Sequence, residues 1–242
     1  MDKIITFLLF ALIGSSTLLA QSYALEYKSI IDTNKEKNYN INISYTQIKG
    51  LNTPSKEGYN NLVKSLMTAQ ADSFRVWMKD WESYNKEMGS FYEIADTAVY
   101  TDSKMISTLF YEFYYFSGAA HPNNSNFSIS YDLEKNKEIK LGDLFTGNYL
   151  KTLSDICIVE ISKNKKEYDP SFNVKNDEWL NSGAGPVEKN FKVFNVTKEN
   201  FVITFPTYQV ASYAEGPQTV EIPYAKLKDI IKPDGLLGGF VK

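Results

Sequence analysis

Hydrophobic positions along the chain change their period several times, and each change predicts a different element. Ile41, Ile43 and Tyr45 alternate with polar residues, which predicts a half-buried strand. Residues 52–58 are turn-forming. Apolar side chains then recur every three or four positions over residues 59–86, which predicts a long helix packed on a sheet. The predicted buried stripe of this helix consists of Tyr59, Leu62, Leu66, Gln70, Phe74, Trp77, Trp81 and Tyr84.

The rest of the chain predicts short strands and one further helix. From Phe91 onward the sequence is rich in Tyr, Phe, Ile and Thr, which is typical of strands, and an EKNK turn predicts a hairpin. Helical spacing returns over residues 150–161, where the chain's single cysteine, Cys157, is predicted to be a buried core thiol. Residues 164–190 are polar and loop-like, apart from a short helical turn around 177–180. The order of elements predicts an α+β fold: a mostly antiparallel sheet with a long N-terminal helix and a second helix packed on one face.

The first 24 residues have the pattern of an export signal. Lys3 precedes an apolar stretch at residues 4–14, and small residues allow cleavage after Ala20 or after Ala24. The apolar stretch is shorter than the ~20 residues of a membrane span. We therefore expect a periplasmic or secreted protein with no stable membrane span after cleavage, and an uncleaved anchor is the alternative. The expected organisation is a signal peptide at 1–24, an N-terminal α+β subdomain at 25–115 and a C-terminal α+β subdomain at 116–242.

The residue inventory argues against several classes of function. The formal net charge is −3 and there is no basic block, which is atypical of nucleic-acid binding. One histidine and one cysteine are too few for a zinc site built on those ligands. A Ser-His-Asp triad or a carboxylate pair could be drawn only by guessing its members, because no GxSxG or HExxH pattern is present. We expect no catalytic residue, no metal and no cofactor.

Two loops are candidate ligand-binding surfaces. In YFSGAAHPNNS, residues 115–125, Gly118 can supply an unusual backbone angle and Pro122 restrains His121. His121 either bonds a backbone carbonyl and pins the loop between two strands, or contacts a ligand. The second loop lies in FPTYQVASYAEGPQTVEIPY, residues 205–224, whose tyrosines suit an interface. The predicted ligand-binding residues are Ser117, Gly118, His121, Asn123, Tyr208, Tyr213 and Glu215.

Three stretches together resemble a family of exported bacterial domains. They are FSGAAHPNNSNFSISYDLEKNKEIKLGDLF, the closing FPTYQVASYAEGPQTVEIPYAKL, and ISYTQIKGLN with its following helix. The resemblance covers roughly residues 38–231. The family includes the extracellular region of the lysozyme-sensing anti-sigma factor RsiV and the N-terminal region of the peptidoglycan deacetylase PdaC. The loop reads Gly118-Ala-Ala-His121-Pro, with one alanine more than the family pattern.

The resemblance implies a binding module, because these domains bind lysozyme in RsiV-like proteins and the PdaC-like catalytic activity resides in a separate domain. We therefore expect a secreted or periplasmic non-catalytic protein that binds a cell-envelope partner, either a lysozyme-like protein or peptidoglycan. One alternative is an envelope glycan or ester hydrolase or deacetylase that uses His121 as its base. Another is a structural envelope protein without a small ligand.

Overall fold

The structure is a computed structural model that describes residues 23–50, 53–82 and 88–241. Two sheets and four α-helices make up this part of the chain. The first sheet contains β1 (Ala24–Asn34), β2 (Tyr39–Lys49), β3 (Ser90–Thr101), β4 (Met105–Tyr115), β5 (Asn123–Asp132) and β6 (Lys137–Glu138). The second contains β7 (Phe194–Val196), β8 (Asn200–Phe205) and β9 (Gln218–Pro223). The helices are α1 (Pro54–Lys79), α2 (Leu141–Leu144), α3 (Tyr149–Tyr168) and α4 (Glu178–Gly183).

Both sheets follow chain order, and among the described strands only the β2–β3 pair is parallel. The six-stranded sheet runs β1-β2-β3-β4-β5-β6 and the three-stranded sheet runs β7-β8-β9. The β2–β3 pair is parallel because α1 carries the chain back across the sheet between them, while the other pairs are antiparallel. The α+β fold with its mostly antiparallel sheets and long N-terminal helix is therefore confirmed.

The helix α1 begins earlier than the sequence pattern predicts, and it ends at Lys79. Thr53 is its N-cap, since its hydroxyl accepts a hydrogen bond from the Lys56 amide at 3.4 Å, and Pro54 occupies the first turn. The predicted turn at 52–58 therefore overlaps the first turn of the helix. A Thr-Pro pair can begin a helix or form a turn, and here it begins the helix.

The buried face of α1 also differs from the predicted stripe. Tyr59 and Phe74 are buried as predicted, whereas Trp77 is about half exposed and Tyr84 lies outside the described residues. Smaller side chains occupy the other buried positions of α1, because the sheet on which it packs already supplies large rings such as Tyr92 and Phe110. The buried face consists of Ser55, Tyr59, Val63, Met67, Ala71, Phe74 and Met78.

A second hydrophobic cluster lies between α3 and the three-stranded sheet. Leu153, Cys157 and Ile161 of α3 pack in the same cluster as Phe201 and Ile222 of the sheet. The thiol of Cys157 is fully buried, as predicted, and burial raises its pKa far above the ordinary value. This cysteine is consequently a packing residue rather than a nucleophile.

Serine hydroxyls join the two sheets: Ser128 on β5 accepts the Phe194 amide at 3.0 Å, and the buried Ser107 makes several contacts. The Ser107 hydroxyl on β4 contacts Ser130 Oγ at 2.8 Å and accepts hydrogen bonds from Asn195 Nδ2 at 2.9 Å and the Val196 amide at 3.1 Å. The six-stranded sheet is continuous across the boundary predicted at residues 115 and 116, because β5 pairs with β4 along its length. The division into two subdomains stays a prediction.

Candidate functional site

Three connecting segments of the chain meet at one surface. They are the loop 116–122 between β4 and β5, the helix α4, and the connection 206–217 between β8 and β9. The phenol of Tyr213 donates a hydrogen bond to the carbonyl oxygen of Pro122 at 2.7 Å, and the Thr207 hydroxyl bonds the Asn124 side chain. The structure thus brings the two predicted loops together.

Four ring side chains lie side by side on this surface and form what we call the aromatic row: His121, Tyr213, Tyr208 and Trp179. The ring centres of His121 and Tyr213 are 4.2 Å apart, those of Tyr213 and Tyr208 5.6 Å, and those of Tyr208 and Trp179 6.3 Å. Tyr208 is 49% and Trp179 43% exposed. The row therefore offers partly exposed aromatic side chains to solvent.

Tyr208 is held in a backbone conformation that favours glycine. Its φ is 71°, in the left-handed region, which costs a bulky residue ~1–2 kcal/mol. Its carbonyl oxygen accepts a hydrogen bond of 2.6 Å from the Trp179 indole nitrogen, so one ring of the row fixes the backbone of the next. Strain of this kind persists where the surrounding structure holds it, and it is concentrated at functional sites.

The turn that carries Tyr208 is fastened to α4 through its neighbour Gln209. The side-chain Nε2 of Gln209 donates hydrogen bonds to the carbonyl oxygens of Gly183 at 2.9 Å and Asn190 at 2.8 Å. The backbones approach so closely that a Cβ on Gly183 would lie 1.9 Å from the Gln209 carbonyl oxygen. Only glycine allows this contact, and the contact sets the position of Tyr208 beside Trp179.

Replacing Gly183 by alanine is therefore expected to push α4 away from the Tyr208 turn. We expect the free energy of unfolding to fall by about 1–3 kcal/mol, as for other over-packed sites. Urea unfolding followed by circular dichroism measures this change. The matched control is Gly239→Ala, where no heavy atom lies within 4 Å of the added methyl group. Equal stability of the two variants would contradict the close contact.

A largely buried lysine, Lys165, connects the segments that carry Trp179 and Tyr213. Lys165 on α3 is 14% exposed, and its amine lies 2.9 Å from the Asp177 carboxylate and 3.5 Å from that of Glu215. Asp177 also accepts the Leu180 amide as the N-cap of α4, and Glu215 accepts the amide and hydroxyl of Ser212. Asp177 and Glu215 lie two residues from Trp179 and Tyr213 in the chain, so Lys165 ties both sides of the row to α3.

Both carboxylates next to Lys165 are held in their charged form. Burial acts to raise the pKa of Asp177, but hydrogen bonds from the Leu180 amide and Lys165 outweigh it and the pKa is lowered. Burial also acts to raise the pKa of Glu215, but the hydrogen bonds from Ser212 and the contact with Lys165 outweigh it, so this pKa is lowered as well. The stability that these contacts contribute is present at neutral pH and is lost as the pH falls through the lowered pKa values.

An open groove of about 900 Å³ adjoins the row on the side of Lys165. Its walls are the last turn of α3, the segment that leads into α4, and residues 214, 215 and 218 at the end of the β8–β9 connection. Aromatic and charged side chains both line it, among them Lys165, Tyr168, Phe172, Asp177, Glu215 and Gln218. Row and groove together form a surface that can stack on rings and bond to polar groups.

The predicted site residues divide into an exposed set and an inner set. His121, Tyr208, Tyr213 and Glu215 belong to the surface just described. Ser117 is fully buried; its amide donates to the Ser90 hydroxyl at 2.9 Å and its carbonyl accepts the Trp81 indole nitrogen at 3.2 Å.

Gly118 and Asn123 shape the loop ends. Gly118 has φ of 95°, as the sequence suggested, and Asn123 is half-buried at the start of β5.

His121 makes the backbone contact that its sequence context allowed, while contact with a ligand stays a prediction. Its Nδ1 lies 2.8 Å from the Pro122 carbonyl oxygen, and its exposed ring packs against Tyr213 at an interplanar angle of 33°. Within residues 23–50, 53–82 and 88–241, no group of three or more His, Cys, Asp or Glu side chains could hold a metal ion. The geometry makes His121 one end of a stacking surface.

Sequence reasoning missed Trp179, Lys165 and Asp177. All three lie in the polar segment 164–190, which is expected from the sequence to be loop-like apart from a short helical turn around 177–180, where α4 is found. The available signal was a tryptophan within an otherwise polar stretch. A large ring in such a stretch is not expected to enter a core, so it is expected to serve a surface.

Comparison with known proteins agrees with the fold and with the predicted resemblance. Residues 142–225 match a family described as "Protein of unknown function (DUF3298)". The peptidoglycan-N-acetylmuramic acid deacetylase PdaC of Bacillus subtilis (strain 168) is 26% identical over 210 residues, which are 86% of this chain and 42% of that protein. The chain thus spans about two fifths of the length of this relative.

Two solved members of the DUF3298 family share the fold. The one from Bacteroides fragilis NCTC 9343 has a TM-score of 0.66 at 18% identity, covering 92% of this chain and 99% of its own. The one from Pseudomonas aeruginosa PAO1 has a TM-score of 0.61 at 15% identity, covering 89% and 97%. The chain is therefore similar to PdaC over most of its own length and matches the DUF3298 family at residues 142–225.

Proposed function

We propose that this protein is a non-catalytic binding module of the cell envelope whose partner is the glycan of peptidoglycan. The observation that carries the proposal is the aromatic row, in which Tyr208 on a strained turn and Trp179 on α4 are both half-exposed. A chain that only needed to close this turn would be more stable with glycine at position 208.

The chemistry of the surface suits a sugar polymer. Sugar rings have C–H faces that stack on aromatic rings, and hydroxyl groups at their edges that bond polar side chains. The row supplies successive rings, and Glu215, Gln218 and Lys165 supply polar groups beside it. His121 extends the row at one end, and we assign it to stacking rather than to proton transfer.

The relative supports the choice of partner. PdaC is named for a reaction on peptidoglycan, and most of this chain is similar to it. The similarity spans less than half of PdaC, so we carry over the cell-wall association and not the deacetylase reaction.

Sedimentation with purified peptidoglycan tests the proposal. The protein is expected to appear in the pellet with insoluble peptidoglycan and to be released by soluble glycan fragments. Immobilised lysozyme forms the second arm, since a lysozyme-like protein is the other partner expected from the sequence. Binding to lysozyme but not to peptidoglycan would overturn the proposal, as would a protein that stays in the supernatant in both assays.

Export to the envelope is part of the proposal, and the structure constrains how a leader could be removed. Residues 1–22 lie outside the described residues, but Tyr23 is buried and its phenol contacts Thr101 Oγ1 at 2.5 Å and the Asp102 carbonyl at 2.8 Å. Cleavage after Ala24 would remove this core residue, whereas cleavage after Ala20 retains it. No helix in the described part of the chain is long and apolar enough to cross a membrane.

The exported protein is therefore expected to begin at Gln21. Intact-mass measurement on protein recovered from the envelope fraction of an expressing bacterium determines the first residue. A mature chain beginning at Leu25 would contradict the prediction and would mean that Tyr23 is dispensable.

A further inference from the structure

We propose that the groove beside the aromatic row selects glycans that bear free, protonated amines, that is, amino sugars without their N-acetyl groups. The inference rests on the proposed glycan-binding function and specifies its ligand. It follows from the charges that line the groove, from the helix end that opens into it, and from the rings on its walls.

The charges in the groove are strongly unequal. Glu167, Asp169, Asp177 and Glu215 line it, and Lys165 is the one cation among the described lining residues. Lys165 already contacts Asp177 and Glu215, and Asp169 accepts hydrogen bonds from the Ser171 amide and hydroxyl, so the charges of Glu167 and Asp169 are not paired with Lys165. A ligand that brings its own positive charge would balance the excess negative charge of the groove, whereas a neutral sugar would leave that charge unbalanced.

The last turn of α3 adds to the same field. The groove is lined by residues 164–169, at the carboxyl end of a helix of 20 residues, where the helix dipole is negative. One of the terminal carbonyls, that of Lys165, is capped by the Asp169 amide. The helix end therefore favours a cation in the groove, independently of the side chains.

Aromatic rings line the same groove as these charges. Tyr168 is 91% exposed on one wall, and Phe172 lies under the Lys165 amine at 5.4 Å. An ammonium group next to aromatic faces and carboxylates gains both cation–π and ionic contacts. A sugar that bears an amine can thus place its ring against Tyr168 and its ammonium group against the carboxylates of the same groove.

The experiment compares glucosamine oligomers with N-acetylglucosamine oligomers of the same length, using calorimetry on the full chain. We expect the free-amine oligomer to bind about tenfold more tightly at low salt, and this preference to shrink between about 50 and about 500 mM NaCl. The variant Glu167→Gln/Asp169→Asn is expected to lose the preference while it retains binding of the acetylated oligomer. Its control is Glu36→Gln/Glu199→Gln, which changes the net charge equally at two exposed turns distant in the fold.

The outcomes separate this inference from the proposed function. Binding of peptidoglycan with equal affinity for the two oligomers would overturn the amine preference and leave the glycan-binding function in place. Preference for the free-amine oligomer without peptidoglycan binding would support the inference and count against the choice of peptidoglycan. Oligolysine that binds as tightly as the glucosamine oligomer would overturn the assignment to a sugar.

Discussion

The variant Tyr208→Ala/Trp179→Ala is expected to bind purified peptidoglycan about 100-fold more weakly than the wild type, which corresponds to about 1.4 kcal/mol for each lost ring. The two side chains form the more exposed half of the aromatic row, and their ring planes are within 11° of parallel. Removing them takes away stacking area without opening the core. Sedimentation over a range of peptidoglycan concentrations measures the change in affinity.

A control must remove the same kind of surface elsewhere. Tyr27 on β1 and Tyr111 on β4 are exposed by 70% and 48% and belong to the six-stranded sheet, outside the row. Tyr27→Ala/Tyr111→Ala is expected to bind as the wild type does. If both double variants bind equally, the glycan contacts some other surface and the row has no part in it.

Phe74→Ala is expected to lower the free energy of unfolding by about 3–5 kcal/mol, as for other buried phenylalanines. Phe74 is fully buried on α1, and its ring centre lies 5.2 Å from that of Tyr92 and 5.6 Å from that of Phe116. The cavity would be surrounded by large rings that cannot easily collapse into it. Urea unfolding at constant denaturant slope measures the loss.

Trp77→Ala is the matched control on the same helix. Trp77 belongs to the stripe predicted from the sequence, but it is about half exposed and touches only the edge of the cluster, with its ring centre 5.8 Å from that of Phe116. We expect a loss of about 1 kcal/mol or less. A loss as large as that of Phe74→Ala would mean that the predicted stripe, and not the observed face, packs on the sheet.

This pair of residues illustrates how far the sequence determines the fold. Alternation around Ile41 and Ile43 and the helical period after residue 59 were sufficient for the element types, because burial of one face imposes those periods. The rotation of α1 was not predictable from the helix alone. Large aromatic residues marked the face that was expected to be buried. The sheet on which α1 packs is already rich in rings, so the smaller side chains of Val63 and Ala71 fit against it.

The candidate site was predictable only in part, for a related reason. Each loop carried local signals, such as Gly118 before His121 and the tyrosines of the second loop. That the two loops meet depends on how β5 and β8 are placed in different sheets, which no local pattern records. Trp179 joins them from a third segment, and its contribution becomes visible only with the Tyr208 carbonyl in place.

The backbone of Tyr208 has an evolutionary consequence. Its left-handed conformation means that glycine would relieve strain there, while it would also remove a ring from the surface. Thermal stability and ligand affinity are therefore expected to move in opposite directions at this one position. Selection for stability alone would replace the tyrosine, so the residue that homologous chains carry at this turn should indicate which of them have retained the ligand.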